Sequence, residues 1–191
     1  MSTIQPFNYQ SFAMQTISEN KNVYSNMAEG ITMRLYDVRK TVIRDSFNGF
    51  QNISHRLEEV STVRGITFIN DSKATNVNAC WYALESMNRP VIWIAGGQEN
   101  GNDYSILKEL ARQKVKALIC MGVSNQRIIH CLRDEVNVIM EVNSARMAVQ
   151  AAYQAGSPGD IVLLSPGCAS FDRFDNYADR GDQFKQAVFD L

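Results

Sequence analysis

Two polar loops carry most of the side chains in this 191-residue chain that could perform chemistry. The first loop, residues 70–76, reads NDSKATN, and the second loop, residues 165–172, reads SPGCASFD. A carboxylate suits a ribose diol or a metal ion, an ammonium suits a phosphate or a carboxylate, and hydroxyl and backbone N–H groups also bind anions. The two loops therefore predict a site for a charged ligand.

In the first loop the chemically useful side chains alternate along the chain. Alternate residues of an extended segment project to the same side, so Asp71, Lys73 and Thr75 are predicted to face one ligand. The alternative is structural: Asp71 and Ser72 would cap a helix that begins near Asn76, and Lys73 would be solvated.

The second loop offers hydroxyls and backbone N–H groups to an anion. Ser170 lacks the G-x-S-x-G context of an activated nucleophile, and no sequence signal places a histidine as its base. We therefore interpret the serines as binding groups. Gly96 and Gly97 follow a strand and precede a helix, so they permit close backbone approach or positive φ, although an ordinary turn explains them as well.

Arg56 lies where the chain changes character, and its guanidinium is suited to a bidentate phosphate contact. A surface salt bridge to Glu58 or Glu59 is an equally good interpretation. His130 falls within an apolar helix pattern and is interpreted as structural. Neither H-x₃-H nor H-E-x-x-H occurs, so no metal site is predicted.

Strands and helices alternate from residue 65 onward, which predicts an α/β, Rossmann-like domain with a mostly parallel sheet and helices on both faces. The strands are continuous apolar runs, as burial on both faces requires. The predicted strands are 66–69, 91–95, 117–121, 136–140 and 161–164, and the predicted helices are 77–87, 104–112, 125–132 (with Ser124 as N-cap), 144–155 and 180–189. Both polar loops would then lie at the carboxyl edge of the sheet, where ligands bind.

The first part of the chain shows no such alternation. Helices are predicted at residues 22–36 and 41–47, with Met27, Ile31 and Leu35 forming an apolar stripe. We predict a mainly helical domain at residues 1–52, a remnant of another domain, followed by the α/β domain at residues 53–191.

Composition excludes several classes of protein. A hydrophobic content of 45% and a net charge of −1 are typical of a globular protein, and the basic residues are too scattered for a nucleic-acid surface. No apolar run approaches the roughly 20 residues that span a bilayer, and no signal peptide is recognised. The four cysteines lack C-x-x-C spacing, which favours reduced thiols. We expect a cytoplasmic monomer with no nucleic-acid or membrane partner.

Taken together, four blocks resemble the Mur ligase family, and within it the ligases that add D-glutamate. The blocks are HRLE at 55–58, NDSKATN at 70–76, the glycine pair at 96–97, and LSPGCASFD at 164–172 followed by Phe174, Asn176, Arg180, Gly181 and Phe184. The resemblance extends over residues 22–191. The chain contains no G-x-x-x-x-G-K-[ST], the phosphate-binding loop that such ATP-dependent enzymes need.

This resemblance implies a function and a place within a larger enzyme. Mur ligases have a UDP-sugar domain, a central ATPase domain and a C-terminal amino-acid-binding domain. The chain looks like the last helices of the central domain (1–52) followed by the C-terminal domain (53–191). ATP, with Mg²⁺, phosphorylates the carboxylate of UDP-N-acetylmuramoyl-L-alanine, and the amine of D-glutamate attacks the acyl phosphate to form an amide for peptidoglycan synthesis.

The resemblance also implies roles for individual residues. ATP and Mg²⁺ would be bound mainly by domains outside this chain, which would be inactive alone and would need the remainder of the ligase as its partner. The implied catalytic residues are Lys73 and Arg56, the D-glutamate contacts are Thr75, Ser170, Phe171, Tyr177 and Asn100, and the ATP contacts are Arg56, Asp71, Asn22 and Ser25.

Three positions depart from the family pattern. Asn100 stands where the family usually has a lysine that pairs with a D-glutamate carboxylate, and Ser25 stands where an asparagine touches adenine. Gly167 replaces an alanine. An alternative function is therefore a non-catalytic module that binds an acidic amino acid or a nucleotide. A third is another ligase of the superfamily, such as a folylpolyglutamate enzyme, although the SPGCASFD block argues against it.

Overall fold

A computed structural model describes residue 31 and residues 33–35, 37–46 and 53–191. Contacts within the chain divide it into two units, Met1–Ser46 and Phe47–Leu191. This division falls ahead of the predicted boundary at residues 52 and 53. The identity predicted for each side of that boundary stays a prediction.

In the first unit the described residues, 31, 33–35 and 37–46, are all helical, and the longest described stretch, residues 37–46, is named α1. Residues 37–46 are helical throughout, so the predicted break between helices 22–36 and 41–47 is wrong at residues 37–40. Ile31 and Leu35 of the predicted apolar stripe are exposed, whereas Ile43 is buried. Met27, Asn22 and Ser25 lie outside the described residues.

The second unit contains a six-stranded sheet with the order β1-β2-β6-β3-β4-β5. Its strands are β1 (Glu58–Val63), β2 (Ile66–Asn70), β3 (Val91–Ala95), β4 (Val115–Cys120), β5 (Val138–Glu141) and β6 (Ile161–Leu164). Strand β1 pairs antiparallel with β2, and the other neighbours are parallel. The predicted α/β fold class with a mostly parallel sheet is confirmed.

Strand β1 was not predicted. It forms a hairpin with β2 through Arg64 and Gly65, whose φ angles of 48° and 80° are those of a turn that matches strand twist. A bulge between Glu59 and Ser61 shifts its register against β2. The strand is half-buried, so it lacks the continuous apolar run by which the parallel strands were recognised.

Helices connect the parallel strands on both faces of the sheet. They are α2 (Val77–Ser86), α3 (Lys108–Lys114), α4 (Gln126–Leu132), α5 (Ala145–Ala155) and α6 (Tyr177–Phe189), with a 3-10 turn at Ser105–Leu107 before α3. No helix among the described residues is long and apolar enough to cross a membrane.

Side-chain caps decide where several helices begin. Asn76 accepts a hydrogen bond from the backbone N–H group of Ala79 at the start of α2, and Ser144 does the same for Met147 at the start of α5. Asn176 caps α6, which begins at Tyr177 and not at the predicted residue 180. The residue before α4 is Asn125 and not the predicted Ser124, and its side chain makes no cap bond.

The core lies on both faces of the sheet. On one face Phe68, Ile94 and Phe184 belong to the apolar cluster that α5 and α6 cover. The intervening strand residues, such as Trp93 and Leu118, point to the opposite face and are fully buried. This two-sided burial fixes the strands and holds the loops that follow them at one edge.

Candidate functional site

The two polar loops are neighbours because the strands that precede them, β2 and β6, pair in parallel. Asn70 lies opposite Leu164 at the carboxyl edge, and the N–H group of Asp71 donates to the Leu164 carbonyl at 2.8 Å. Farther along, the N–H group of Gly167 donates to the Ala74 carbonyl at 2.9 Å. Both loops therefore lie at the carboxyl edge, as predicted, and backbone hydrogen bonds join the first loop to the second.

The Asp71 carboxylate points into the protein and is fully buried. One oxygen accepts from the Ser165 hydroxyl at 2.9 Å, and the other lies 3.4 Å from Arg56 Nη1 and 3.3 Å from the Leu57 N–H group. Burial raises the pKa of Asp71 to about 7, and the charge of Arg56 opposes that rise.

This arrangement corrects the predicted geometry of the first loop. Lys73 and Thr75 are exposed while Asp71 is buried, so the three side chains do not face one ligand in this structure. The loop is not extended: the N–H group of Ala74 donates to the Asp71 carbonyl, which is a turn. The structural alternative is wrong about the cap, which Asn76 provides for α2. Its other two parts are confirmed, because the helix begins next to Asn76 and Lys73 is exposed.

Arg56 is held inside a strained segment. Its neighbours His55 and Leu57 have φ angles of 62° and 45°, which residues other than glycine rarely adopt. The guanidinium pairs with Asp71 and also lies over the Tyr82 ring, 5.9 Å from its centroid. The predicted surface salt bridge from Arg56 to Glu58 or Glu59 is wrong.

Glu58 instead holds the segment before β1. Its carboxylate accepts from the His55 N–H group at 2.9 Å and from the Asn70 side-chain amide at 3.2 Å. The same amide donates to His55 Nδ1, at 3.0 Å, because the Asn70 oxygen is taken by the N–H group of Ser72. The segment that carries Arg56 is thus fixed to the end of β2.

The exposed side of the site contains Lys73, Thr75, Phe171 and Tyr177. Lys73 Nζ lies 5.6 Å from the centroid of the Tyr177 ring, so the structure brings these two predicted residues together. Phe171 is largely exposed, and Ser170 is buried in the loop behind it.

The glycine loop, residues 96–103, packs directly against the second loop at Ala169. Gln98 forms an isolated antiparallel bridge with Ala169, and its N–H group donates to the Ala169 carbonyl at 2.8 Å. A Cβ atom added to Gly97 would lie 2.4 Å from the same carbonyl oxygen, so this position requires glycine. The close approach that the glycine pair suggested is observed. Asn100 lies on the exposed part of this loop.

A buried polar cluster beneath the glycine loop was missed by sequence reasoning. The Tyr104 hydroxyl lies 2.9 Å from a Glu99 oxygen and 3.1 Å from the Cys168 sulfur, and the Asn102 amide donates to the Gly167 carbonyl at 3.1 Å. Burial raises the pKa of the Cys168 thiol, which favours its neutral form. The only sequence signal was the position of Cys168 in the motif.

Arg180 is the second feature that was missed. It is fully buried, and burial lowers the pKa of its guanidinium to about 10. Its three hydrogen bonds go to the Ser72 hydroxyl, the Ser72 carbonyl and the Cys168 carbonyl. The sequence offered Arg180 as part of a family block, but an arginine on a helix is usually solvated.

Two further predictions concern side chains elsewhere. All four cysteines are free, as expected. His130 lies on α4, within a helix as predicted, but it is exposed and does not belong to the core, and its interpretation as structural stays a prediction. In the described part of the chain, no group of three or more His, Cys, Asp and Glu residues could hold a metal ion.

Known proteins are similar to this chain in sequence or in fold. A family model described as "Mur ligase, glutamate ligase domain" matches residues 55–168. The chain belongs to the Mur ligase family, which confirms the resemblance drawn from its motifs.

The similar curated proteins are named UDP-N-acetylmuramoylalanine–D-glutamate ligase. The one from Christiangramia forsetii is 47% identical over 96% of this chain and 42% of its own length. The one from Bacteroides fragilis is 48% identical over 89% of this chain and 38% of its own length. The chain thus spans well under half the length of these relatives.

Solved structures share the fold at low identity. A murein peptide ligase from Psychrobacter arcticus has a TM-score of 0.52 at 13% identity and covers 77% of this chain and 32% of its own. A bifunctional folylpolyglutamate synthase/dihydrofolate synthase from Yersinia pestis, complexed with AMPPNP and Mn ion, has a TM-score of 0.50 at 16% identity. It covers 74% of this chain and 32% of its own.

Proposed function

We propose that this chain is the amino-acid-binding portion of an ATP-dependent ligase that adds D-glutamate to UDP-N-acetylmuramoyl-L-alanine in peptidoglycan synthesis. The observation that carries the proposal is the junction of the first and second loops, in a chain 47% identical to a ligase of that name. The remainder of a three-domain ligase would be its partner, and the cytoplasm its location. The chain alone would not turn over.

D-Glutamate would lie across the joined loops. Thr75 would bind one of its carboxylates, and Ser170 with the backbone near Phe171 and Tyr177 would bind the other. Tyr177 is the first residue of the 13-residue helix α6, whose N-terminal end favours negative charge. Lys73 is exposed beside Tyr177 and would neutralise charge that develops on the reacting acyl group.

ATP would supply the phosphoryl group that activates the acyl carboxylate, and Arg56 and Asp71 are the residues proposed to hold it. Their chemistry fits phosphate and ribose, but both Asp71 oxygens already accept hydrogen bonds from this chain. A ribose could reach Asp71 only in exchange for one of these donors. Residues for Mg²⁺ are not proposed in the described part of the chain.

One observation favours the second candidate, a non-catalytic module that binds an acidic amino acid. Asn100 is exposed on the glycine loop and uncharged, where the family pattern has a lysine. Without that charge, a carboxylate would be bound by hydroxyl and backbone donors alone, which lowers affinity. The two candidates share the same loops and differ in whether catalysis follows binding.

Titration of the 191-residue chain with D-glutamate, followed by amide NMR, tests the shared step. We expect shifts confined to the two loops and the start of α6, with L-glutamate as the stereochemical control. Thr75→Ala and Ser170→Ala should each weaken binding at least about tenfold, the effect of one lost hydrogen bond to a charged group. Ser86→Ala, on the exposed end of α2, should leave binding unchanged.

The two candidate functions can be distinguished by joining this chain to the UDP-sugar domain and the central ATPase domain of a related ligase. Amide formation from ATP, D-glutamate and UDP-N-acetylmuramoyl-L-alanine would support the ligase, and binding without turnover would support the module. Saturable binding of a different amino acid, with no response to D-glutamate, would refute both substrate assignments.

A further inference from the structure

Arg180 ties the first loop to the second from inside the protein. Its Nε donates to the Ser72 hydroxyl at 2.9 Å and its Nη2 to the Ser72 carbonyl at 2.8 Å. Its Nη1 donates to the Cys168 carbonyl at 3.2 Å. Because a guanidinium is planar and rigid, these three bonds fix the two loops relative to each other and not only to the helix.

Ser72 extends this connection to the start of α6. Its hydroxyl accepts from Arg180 and donates to the Tyr177 carbonyl at 2.7 Å. Ser72 is itself fully buried, so water does not compete for these bonds. The backbone at Tyr177, one of the proposed carboxylate contacts, is therefore held to the loop that carries Thr75.

The glycine loop meets the same guanidinium. A Cβ atom on Gly97 would lie 3.2 Å from Arg180 Nη1, closer than nearly all such contacts in proteins. Three strand-end loops and the first turn of α6 thus meet at the guanidinium of Arg180, which is fully buried.

We propose that Arg180, acting through Ser72, is a positioning residue that sets the separation between the two carboxylate-binding groups and so selects the length of the acidic amino acid. This inference rests on the proposed function. D-Glutamate is longer than D-aspartate by one methylene group, and a site of fixed span discriminates such a pair by about 10- to 200-fold. A site whose two loops move independently adapts to either length.

The test is the ratio of D-glutamate to D-aspartate affinities, measured by calorimetry or NMR titration on the 191-residue chain. Wild type should prefer D-glutamate at least about tenfold. Arg180→Lys keeps the charge but loses the three-bond geometry, so its ratio should fall to within about threefold of unity. Arg112→Lys is the matched control, since Arg112 pairs with Glu135 at the opposite edge of the sheet.

The ratio of D-glutamate to D-aspartate affinities distinguishes a lost positioning role from a loss of folded protein. A variant that is merely less stable loses affinity for both acids by the same factor, which leaves the ratio unchanged. If Arg180→Lys fails to fold, Ser72→Ala replaces it in the test. This variant keeps the guanidinium, removes the bridging hydroxyl, and should also lower the ratio of D-glutamate to D-aspartate affinities. An unchanged ratio in a folded variant that still binds D-glutamate overturns the proposal.

Hydrogen exchange provides a readout that needs no ligand. The Gly167 amide, bonded to Ala74, reports the junction between the loops, and the Leu118 amide in β4 reports the core. In the Arg180→Lys variant, amide hydrogen exchange should accelerate at least about tenfold at Gly167 and remain unchanged at Leu118.

If wild type binds neither acid, the proposed function fails, and the exchange data alone decide whether Arg180 positions the loops. Unchanged exchange at Gly167 overturns the positioning role.

Discussion

Arg180 and Lys114 lie at opposite edges of the sheet and make the same number of hydrogen bonds. Arg180 donates three bonds to Ser72 and Cys168, and Lys114 donates three to the carbonyls of Leu84, Glu85 and Met87. Arg180 is fully buried and joins segments 108 residues apart, whereas Lys114 is half-buried and covers the end of α2.

The surroundings of the two cations differ in the same way. Lys114 lines an open groove of about 740 Å³ together with Arg89, Arg112, Lys116 and Glu135, where charges meet solvent. At the carboxyl edge Asp71 and Arg180 are enclosed by the protein. Burial, more than the number of bonds, determines how strongly a charged group organises its neighbours.

The largest expected effect follows from replacing Arg180 by methionine. The change leaves the oxygens of Ser72 and Cys168 buried without their donor, and such groups cost about 1–3 kcal/mol each. We expect Arg180→Met to lower the free energy of unfolding by about 3 kcal/mol, measured by urea denaturation. A loss below about 1 kcal/mol would mean that water reaches these oxygens and that the two edges are alike.

The second expected effect is a pH dependence that belongs to Asp71. Its pKa is raised from 3.8 to about 7 in the folded state, mainly by burial, so between these pH values the folded chain binds more protons than the unfolded chain. Stability from this group therefore falls as pH rises from 4 to 7 and is constant above that range.

Asp71→Asn removes this titration. The difference in unfolding free energy, wild type minus variant, should decline across pH 4–7, as urea titrations at several pH values would measure. A difference that instead grows with pH would mean that the charge of Arg56 outweighs burial. The size of the decline reports how well the carboxyl edge excludes water from Asp71.

Lys114→Met should have a smaller effect than Arg180→Met. The Lys114 ammonium is half-buried beside an open groove, so water can take its place at the three carbonyls, and we expect a loss of about 1 kcal/mol. Urea denaturation of the two variants side by side makes the measurement. Equal losses would refute the contrast between the two edges.

The smallest expected effect concerns the ion pair of Lys116 with Asp160, which are 2.5 Å apart. Because Lys116 is partly exposed, Lys116→Met should cost less than about 1 kcal/mol. High salt should reduce the difference between the variant and wild type further, and thermal melting at two salt concentrations would measure it. Insensitivity to salt would place this pair with the buried groups.

Much of the fold could be predicted because buried parallel strands have a simple signature. Strands β3 and β6 are continuous apolar runs, and their predicted bounds match the structure. Strand β1 could not be found in this way because it lies at the edge, carries glutamates and contains a bulge. Arg64 and Gly65, a turn between two β-branched residues, were its detectable signal.

The candidate site was predictable in its location and not in its interior. Once the alternation of strands and helices indicates an α/β sheet, small polar residues after two buried strands indicate a site at its carboxyl edge. Which charges turn inward depends on contacts between residues far apart, as with Asp71 and Ser165. Sequence periodicity treats every charged side chain as solvated, so the inward orientation of Asp71 and Arg180 is available only from the tertiary structure.

The position of β6 in the sheet has a consequence for the order of folding. Strands β2 and β3 follow each other in the chain, yet β6 lies between them. During synthesis a ribosome must therefore release the chain beyond residue 164 before the sheet can close, and long-range pairing of this kind is slow. The β1–β2 hairpin can form early, but the loop after β2 meets its partner only with the last strand. A chain interrupted before β6 would contain the first loop and no binding site.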